Sequence, residues 1–157
     1  MDTESDMDKA VERQGTATEL LENMFDVEMR FLQSGSGNIE MLTSAFHRDV
    51  VVHEPHSLPY AGDWNGLEGI ASLFQTMHES WSGVAVENLQ AAQADDIVFM
   101  SCTLSLTARA NGVTISQPFA EVLRFRDGRL IEGTPFYYDT SEILAVMAKP
   151  RHATRTA

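Results

Sequence analysis

The sequence holds a single cysteine, Cys102, so neither an internal disulfide nor a multi-cysteine metal site can form. No apolar run approaches the ~18 residues that a membrane helix needs. Basic residues are scarce, 11 against 23 acidic, for a net charge of -12. So anionic a chain repels a phosphate backbone, which argues against a nucleic-acid partner. The one basic cluster, "KPRHATRTA" at 149–157, is expected to fray. The opening "MDTESDMDKA" is acidic and polar, unlike a secretory or mitochondrial leader, so the expected compartment is the cytoplasm. Internal repeats, low-complexity tracts, a G-x-S-x-G elbow, a phosphate loop and a dinucleotide fingerprint are all missing. "SGSG", Ser34 to Gly37, lies between two helical patterns, the wrong context for phosphate binding.

What is present is an ordinary globular composition, 43% hydrophobic and 22% charged, at a length that fits one domain. Residues 1–16 carry almost no apolar pattern and are expected to be disordered, leaving a single domain over 17–148. From Thr18, a possible N-cap, Leu20, Leu21, Met24, Phe25, Val27, Phe31 and Leu32 recur at helical spacing until "SGSG" stops them. Asn38 caps a short second helix. A strand over Val50–Glu54 and a loop from Pro55 follow. "NGLEGIASLFQTMHESW" is then a third helix, burying Leu67, Ile70, Phe74 and Met77.

After Gly83 the period falls to two, predicting strands over 84–93, 97–110, 113–126 and 130–138. Asn111-Gly112 reads as a type I′ hairpin, and "RDG" as another turn. Asp139 caps a last short helix, with Glu142 as its capping-box partner. Helices segregated from a meander mean α+β. The expected architecture is a curved antiparallel sheet wrapped around three helices of the N-terminal half. It is a cone-shaped half-barrel with a short C-terminal helix and a pocket at its open end.

Two carboxylates stand out. In "QPFAEVLRFRDGR", Glu121 shares a face with Phe119, Leu123 and Phe125, while the arginines share the other. A carboxylate among apolar neighbours has to pair, with a backbone amide or with Arg109, or stay protonated. In "VVHEPHSLPYAGDWNG", Glu54 has the parity of Val50 and Val52, and Pro55 ends the ladder behind it. Glu54 is either a solvated rim residue or a base looking into the pocket. His53 faces away from Glu54, whereas His56 lies at the pocket mouth as an acid/base partner or orienter. His-Glu-Pro-His lacks a third ligand, so no metal is expected.

One of Tyr137 and Tyr138 faces inward. Tyr138, on the parity of Leu130 and Phe136, is the candidate donor. Tyr60 and Trp64 form a lid or pin the loop. Phe74, Met100, Phe119 and Phe136 complete the expected apolar lining. Cys102 lies at an apolar position of an alternating strand and reads as a small buried hydrophobe.

"SGSGNIEMLTSAFHRDVVVHEPHSLPYAGDWNGLEGIASLF" resembles the helix–strand–Pro–loop–helix signature of the nuclear transport factor two-like superfamily. "EVLRFRDGRLIEGTPFYYDT" resembles its closing hairpin. Within the superfamily the sequence is most similar to ketosteroid isomerases and SnoaL-like polyketide cyclases, over residues 18 to 148. The resemblance places Glu54 where isomerases keep their carboxylate base, and Glu121 where they keep a protonated acid facing the oxyanion; that neutral-acid logic is the isomerases' own. "VEMRFLQ" stands where isomerases carry an oxyanion tyrosine, and Thr134-Pro135-Phe136 where the cyclases carry an acid.

The resemblance implies a homodimer and an isomerase or lyase of secondary metabolism that needs no cofactor. Its substrate is a small apolar carbonyl compound of polyketide, terpenoid or steroid-like kind. The same fold also serves as a non-catalytic module that binds a hydrophobic ligand or dimerises.

Overall fold

The computed structural model describes residues 15–35 and 37–151. All of the expected N-terminal lead-in except Gly15 and Thr16, and the tail beyond Arg151, lie outside the described residues. Helix α1 spans Ala17–Ser34 and buries Leu20, Leu21, Met24, Val27 and Phe31. Its cap is Thr16 rather than Thr18: the Thr16 hydroxyl accepts from the Glu19 amide at 3.2 Å. The helix stops at Gly35, whose φ of 61° is left-handed. Asn38 caps a single 3-10 turn, Ile39–Leu42, where a short second helix was expected.

Strand β1 (Phe46–Glu54) follows, then β2 (Gly62–Asn65) and helix α2 (Gly66–Ser80). Four long strands come next: β3 (Trp81–Ala94), β4 (Ile97–Ala108), β5 (Thr114–Arg126) and β6 (Arg129–Tyr137). Helix α3 (Thr140–Ala148) closes the chain. The six strands form one open sheet in the order β2-β1-β6-β5-β4-β3, a cone-shaped α+β fold. It is mixed rather than wholly antiparallel, because β1 runs parallel to β6. These two strands are distant in sequence, so no tight turn dictates their relative direction. Strand β2 falls in the expected loop; "GDWN" is too short for its alternation to show.

The core lies between one sheet face and the helices. Leu21, Leu42, Ile70, Val98, Leu123 and Ile143 are wholly buried there. Phe74 packs edge-on against Phe46, with ring centroids 5.5 Å apart, and tilted against Phe31 at 6.3 Å.

Two turns differ from expectation. At Asn111-Gly112 only Gly112 has positive φ, so the type I′ turn is not there. Asn111 instead uses its side-chain amide to donate to Val146 O at 2.7 Å and Lys149 O at 2.9 Å, tying the hairpin to the end of α3. The type I′ conformation belongs to Asp127-Gly128, with φ of 53° and 76° between the paired Arg126 and Arg129. The capping box at α3 is half made. The Asp139 side chain accepts from the Glu142 amide at 3.2 Å, while the Asp139 amide donates to the buried Gln117 side chain at 3.1 Å.

The most consequential irregularity is a bulge in β6. Phe125 pairs with Leu130 but Arg124 pairs with Glu132, so Ile131 is an extra residue. A bulge shifts the alternation of every side chain after it. Leu130 faces in, but so then do Gly133, Pro135 and Tyr137, while Phe136 and Tyr138 face out.

Candidate functional site

The sheet register brings the two glutamates together. Val52 of β1 pairs with Gly133 of β6, and two residues further Glu54 comes beside Pro135. Pro135 pairs with Glu121 of β5. Glu54, Pro135 and Glu121 thus form one row across three adjacent strands, with the acid backbones ~10 Å apart. Gly133 leaves room for the Glu121 side chain. A Cβ on Gly133 would lie 3.1 Å from Glu121 Oε1 and 3.5 Å from Val52 Cγ2. The Glu121 carboxyl therefore leans over bare backbone towards β1, where Glu54 is the next inward residue after Val52.

Helix α1 adds a third acid that was not among the expected site residues. Glu28 lies four residues after Met24 and three before Phe31, on the buried stripe. A carboxylate interrupting an apolar stripe is a visible signal. Here the charge of Glu28 bears on both Glu54 and Glu121.

All three acids resist ionising. Glu54 is 6% exposed, and its Oε2 has no hydrogen-bond partner. Burial first, then the charge of Glu28, pushes its carboxyl up to about 8. Burial, then Glu54 and Glu28, pushes Glu121 up to about 8. Burial pushes Glu28 up to about 7. As whole residues Glu28 and Glu121 are half-buried. Arg109 does not pair with Glu121; it donates to the carbonyls of His78 at 2.8 Å and Trp81 at 3.1 Å.

Hydroxyls flank the acids. Trp81 Nε1 donates to the Tyr60 hydroxyl at 3.2 Å, and the Tyr60 and Tyr137 hydroxyls are 3.4 Å apart. Burial and the charge of Glu54 push both phenols up; at Tyr60 the hydrogen bonds with Tyr137 and Trp81 work the other way. Phe119 stands edge-on to Tyr137, ring centroids 5.1 Å apart. Trp64 Nε1 donates to Tyr60 O at 3.0 Å, which pins the loop.

Of the expected site residues, Glu54, Glu121, Tyr60, Met100 and Phe119 come together, Met100 as the register partner of Glu121. Trp64 is half-buried beside them, and Phe74 belongs to the aromatic core. Three stand apart. His56 is exposed, Tyr138 is 76% exposed and Phe136 is 55% exposed. The bulge at Ile131 exchanges the roles of Tyr138 and Tyr137. Phe136 and Tyr138 line an open groove of about 630 Å³ with Ser101, Thr103 and Pro118, and with Cys102, Phe119 and Tyr137 of the inner face. Neither Glu54 nor Glu121 lines it.

His53 also faces out, held between Asp63 at 2.7 Å and Glu132 at 3.1 Å. Cys102 is buried as expected. Among the described residues no three His, Cys, Asp or Glu side chains are grouped so as to hold a metal ion. Nor is any described helix long and apolar enough to cross a membrane.

The SnoaL-like domain family matches residues 27–133, well over half of the sequence, and the chain belongs to that family. Comparison with curated proteins returns no match. Among solved structures, an NTF2-like protein from Burkholderia xenovorans superposes with a TM-score of 0.70 at 15% identity, covering 83% of this chain and 95% of that one. TerC, co-crystallised with polyporic acid, gives a TM-score of 0.68 at 20% identity over 83% and 98%. A Catenulispora acidiphila protein with a ketosteroid isomerase-like fold, in complex with trimethylamine, gives 0.60 at 21% identity over 72% and 84%. At such identities the likeness speaks to the fold.

Proposed function

We propose that this member of the SnoaL-like domain family is a cofactor-independent acid/base enzyme. Its substrate would be a small, largely apolar carbonyl compound of polyketide, terpenoid or steroid-like kind. One observation carries the proposal: two inward carboxyls face each other across β6 with no cation beside them among the described residues, and one keeps a buried oxygen without a partner there. Glu54 takes a proton from the carbon next to the carbonyl. Glu121, protonated, donates to the oxygen on which negative charge appears. Glu54 then returns its proton to a second carbon (isomerisation), or the enolate carbon attacks another carbonyl of the same molecule and Glu54 protonates the new alkoxide (cyclisation), or a β-hydroxyl leaves as water with the proton that Glu54 holds (dehydration).

The acids set the pH dependence. Glu54 works ionised and Glu121 works protonated, and both stand near 8. Rising pH recruits the base while depleting the acid, so the rate peaks near pH 8. The test is hydrogen–deuterium exchange at the α-carbon of small enones and β-diketones, with Glu54→Gln and Glu121→Gln made separately. Each variant is expected to lose exchange with its fold intact. Exchange unchanged in both variants overturns the proposal. Ligand binding without exchange in the wild type assigns the fold to a binding module instead.

A second reading concerns assembly. The outer sheet face leaves Phe99 45%, Phe136 55% and Tyr138 76% exposed. Large apolar side chains gathered on one face mark an interaction surface. A second copy of this chain is the occupant proposed, giving a homodimer. Sedimentation of the wild type should report a dimer, and Phe136→Lys a monomer; a monomeric wild type rules it out.

A further inference from the structure

We propose that Glu28 anchors an ammonium group, so that the molecule held between α1 and the sheet carries a protonated primary amine beside its apolar body. Glu28 is the inward acid that proton transfer between Glu54 and Glu121 leaves without a role. It stands on the buried stripe of α1, between Met24 and Phe31, rather than on the sheet row of Glu54, Pro135 and Glu121. The three acids thus come from a helix and two strands, and the charge of Glu28 bears on both of the others.

The acids lack a cation and a donor. Glu54 is 6% exposed, and its Oε2 accepts from nothing among the described residues. A buried acceptor without a donor is costly, and a ligand N–H removes that cost. No basic side chain among the described residues offsets the three charges. Arg30, the closest of them to Glu28 in sequence, is held by Asp26. Arg109 is bound to backbone carbonyls, and His53 faces out between Asp63 and Glu132.

A metal ion does not fit this need, since among the described residues no three His, Cys, Asp or Glu side chains are grouped to hold one. An organic cation is larger and brings its own donors. A primary ammonium carries three N–H groups, which reach acceptors on more than one element. A quaternary ammonium carries none and would leave Glu54 Oε2 unpaired.

Glu28 is the first of the three to ionise. Burial pushes it up to about 7, whereas burial and like charge push Glu54 and Glu121 up to about 8. The first negative charge therefore settles on Glu28. No charged side chain of α2, β3, β6 or the 3-10 turn shifts any of the three. An arriving ammonium favours the ionised carboxyl, so below that value binding expels a proton. Affinity then rises with pH and levels off above about 7, while an alkylamine keeps its own proton to ~10.

That this molecule is the substrate rests on the function proposed above; the ammonium site does not. The site is tested by calorimetric titration of the full chain with cyclohexylamine and with cyclohexanol, its neutral isostere. At pH 7.5 the amine should bind about tenfold tighter or more. Between pH 5 and 6.5 its affinity should rise about tenfold per pH unit, with about one proton released per amine. Glu28→Gln should abolish the preference and the proton release while keeping the affinity for cyclohexanol.

Equal affinity for the two ligands, a preference that survives Glu28→Gln, or an equal loss of both ligands in that variant overturns the site. Should Glu28→Gln not fold, the wild type decides. Binding without proton release, or N,N,N-trimethylcyclohexylammonium bound as tightly as the primary amine, overturns the site as well. Amine binding in a protein that exchanges no α-proton loses only the enzyme reading. Exchange on neutral ketones without any preference for the amine loses only the ammonium site.

Discussion

The two faces of one sheet treat charge in opposite ways. On β1, His53 points out and Glu54, the next residue, points in. Outside, every acid near His53 has a partner: Asp63 and Glu132 grip the imidazole from its two nitrogens. Asp96 holds the Arg124 guanidinium through both of its oxygens, at 3.0 and 3.1 Å. Inside, the charges of Glu28, Glu54 and Glu121 bear on one another, and among the described residues no cation offsets them. Exposed pairs contribute little because water already solvates each charge. The inward acids are tolerated for a different reason: they hold protons, and a neutral carboxyl is far cheaper to bury than a charged one. The outer face uses acids as fasteners, whereas the inner face keeps them as a store of protons.

Removing the inner base is the strongest way to break this contrast. Glu54→Gln should lower α-proton exchange by about 10²–10⁴, with thermal stability equal to or above the wild type. An active Glu54→Gln protein would leave the two faces functionally alike.

Stability against pH tests the same contrast without a substrate. Glu54 and Glu121 stand near 8 in the folded protein, against an ordinary value of 4.5. Between those values the folded state holds protons that the unfolded chain has released, so stability falls as pH rises through this window. Raising a carboxyl by one pH unit corresponds to about 1.4 kcal/mol. Urea denaturation at pH 5, 6.5 and 8 should show the decline, and the double variant Glu54→Gln/Glu121→Gln should flatten it. A flat wild-type profile would mean that the acids ionise freely.

Gly133→Ala is a smaller change with a local cause. Its Cβ would meet Glu121 Oε1 at 3.1 Å, and Gly133 does not have positive φ, so the effect comes from crowding alone. Loss of stability of about 1–2 kcal/mol is expected by chemical denaturation, with a fall in exchange as the Glu121 carboxyl is displaced. Wild-type behaviour would show that the carboxyl has room elsewhere.

The smallest effect belongs outside. Hydrogen bonds that His53 donates to Asp63, then to Glu132, raise it. A raised histidine stabilises fully below its unfolded value, ~6.5, and loses that contribution as pH climbs through the folded one. Its side chain is 35% exposed, so His53→Gln should cost under about 1 kcal/mol, only at acid pH, and less in salt. A larger or salt-insensitive loss would place His53 in a role beyond fastening.

Much of the molecule could be read along the chain. The stripe Leu20, Leu21, Met24, Val27, Phe31 and the alternation of β4 and β5 mark buried faces directly, because a period of 3.6 or 2 is a property of the local backbone. The inward aim of Glu54 and Glu121 followed from the same parity. Glu28 was legible too, as a carboxylate on an apolar stripe, but its meeting with the other two acids was not.

What only the tertiary structure decided was phase and partnership. Ile131 carries no local mark of a bulge, yet that one inserted residue exchanges Tyr138 for Tyr137 and turns Phe136 to the outside. The parallel pairing of β1 with β6 sets Glu54 beside Pro135 and hence across from Glu121. Periodicity states which way a side chain points relative to its neighbours in sequence. Which residues stand opposite it depends on the register between distant strands, and that register is settled by packing the whole sheet against the helices.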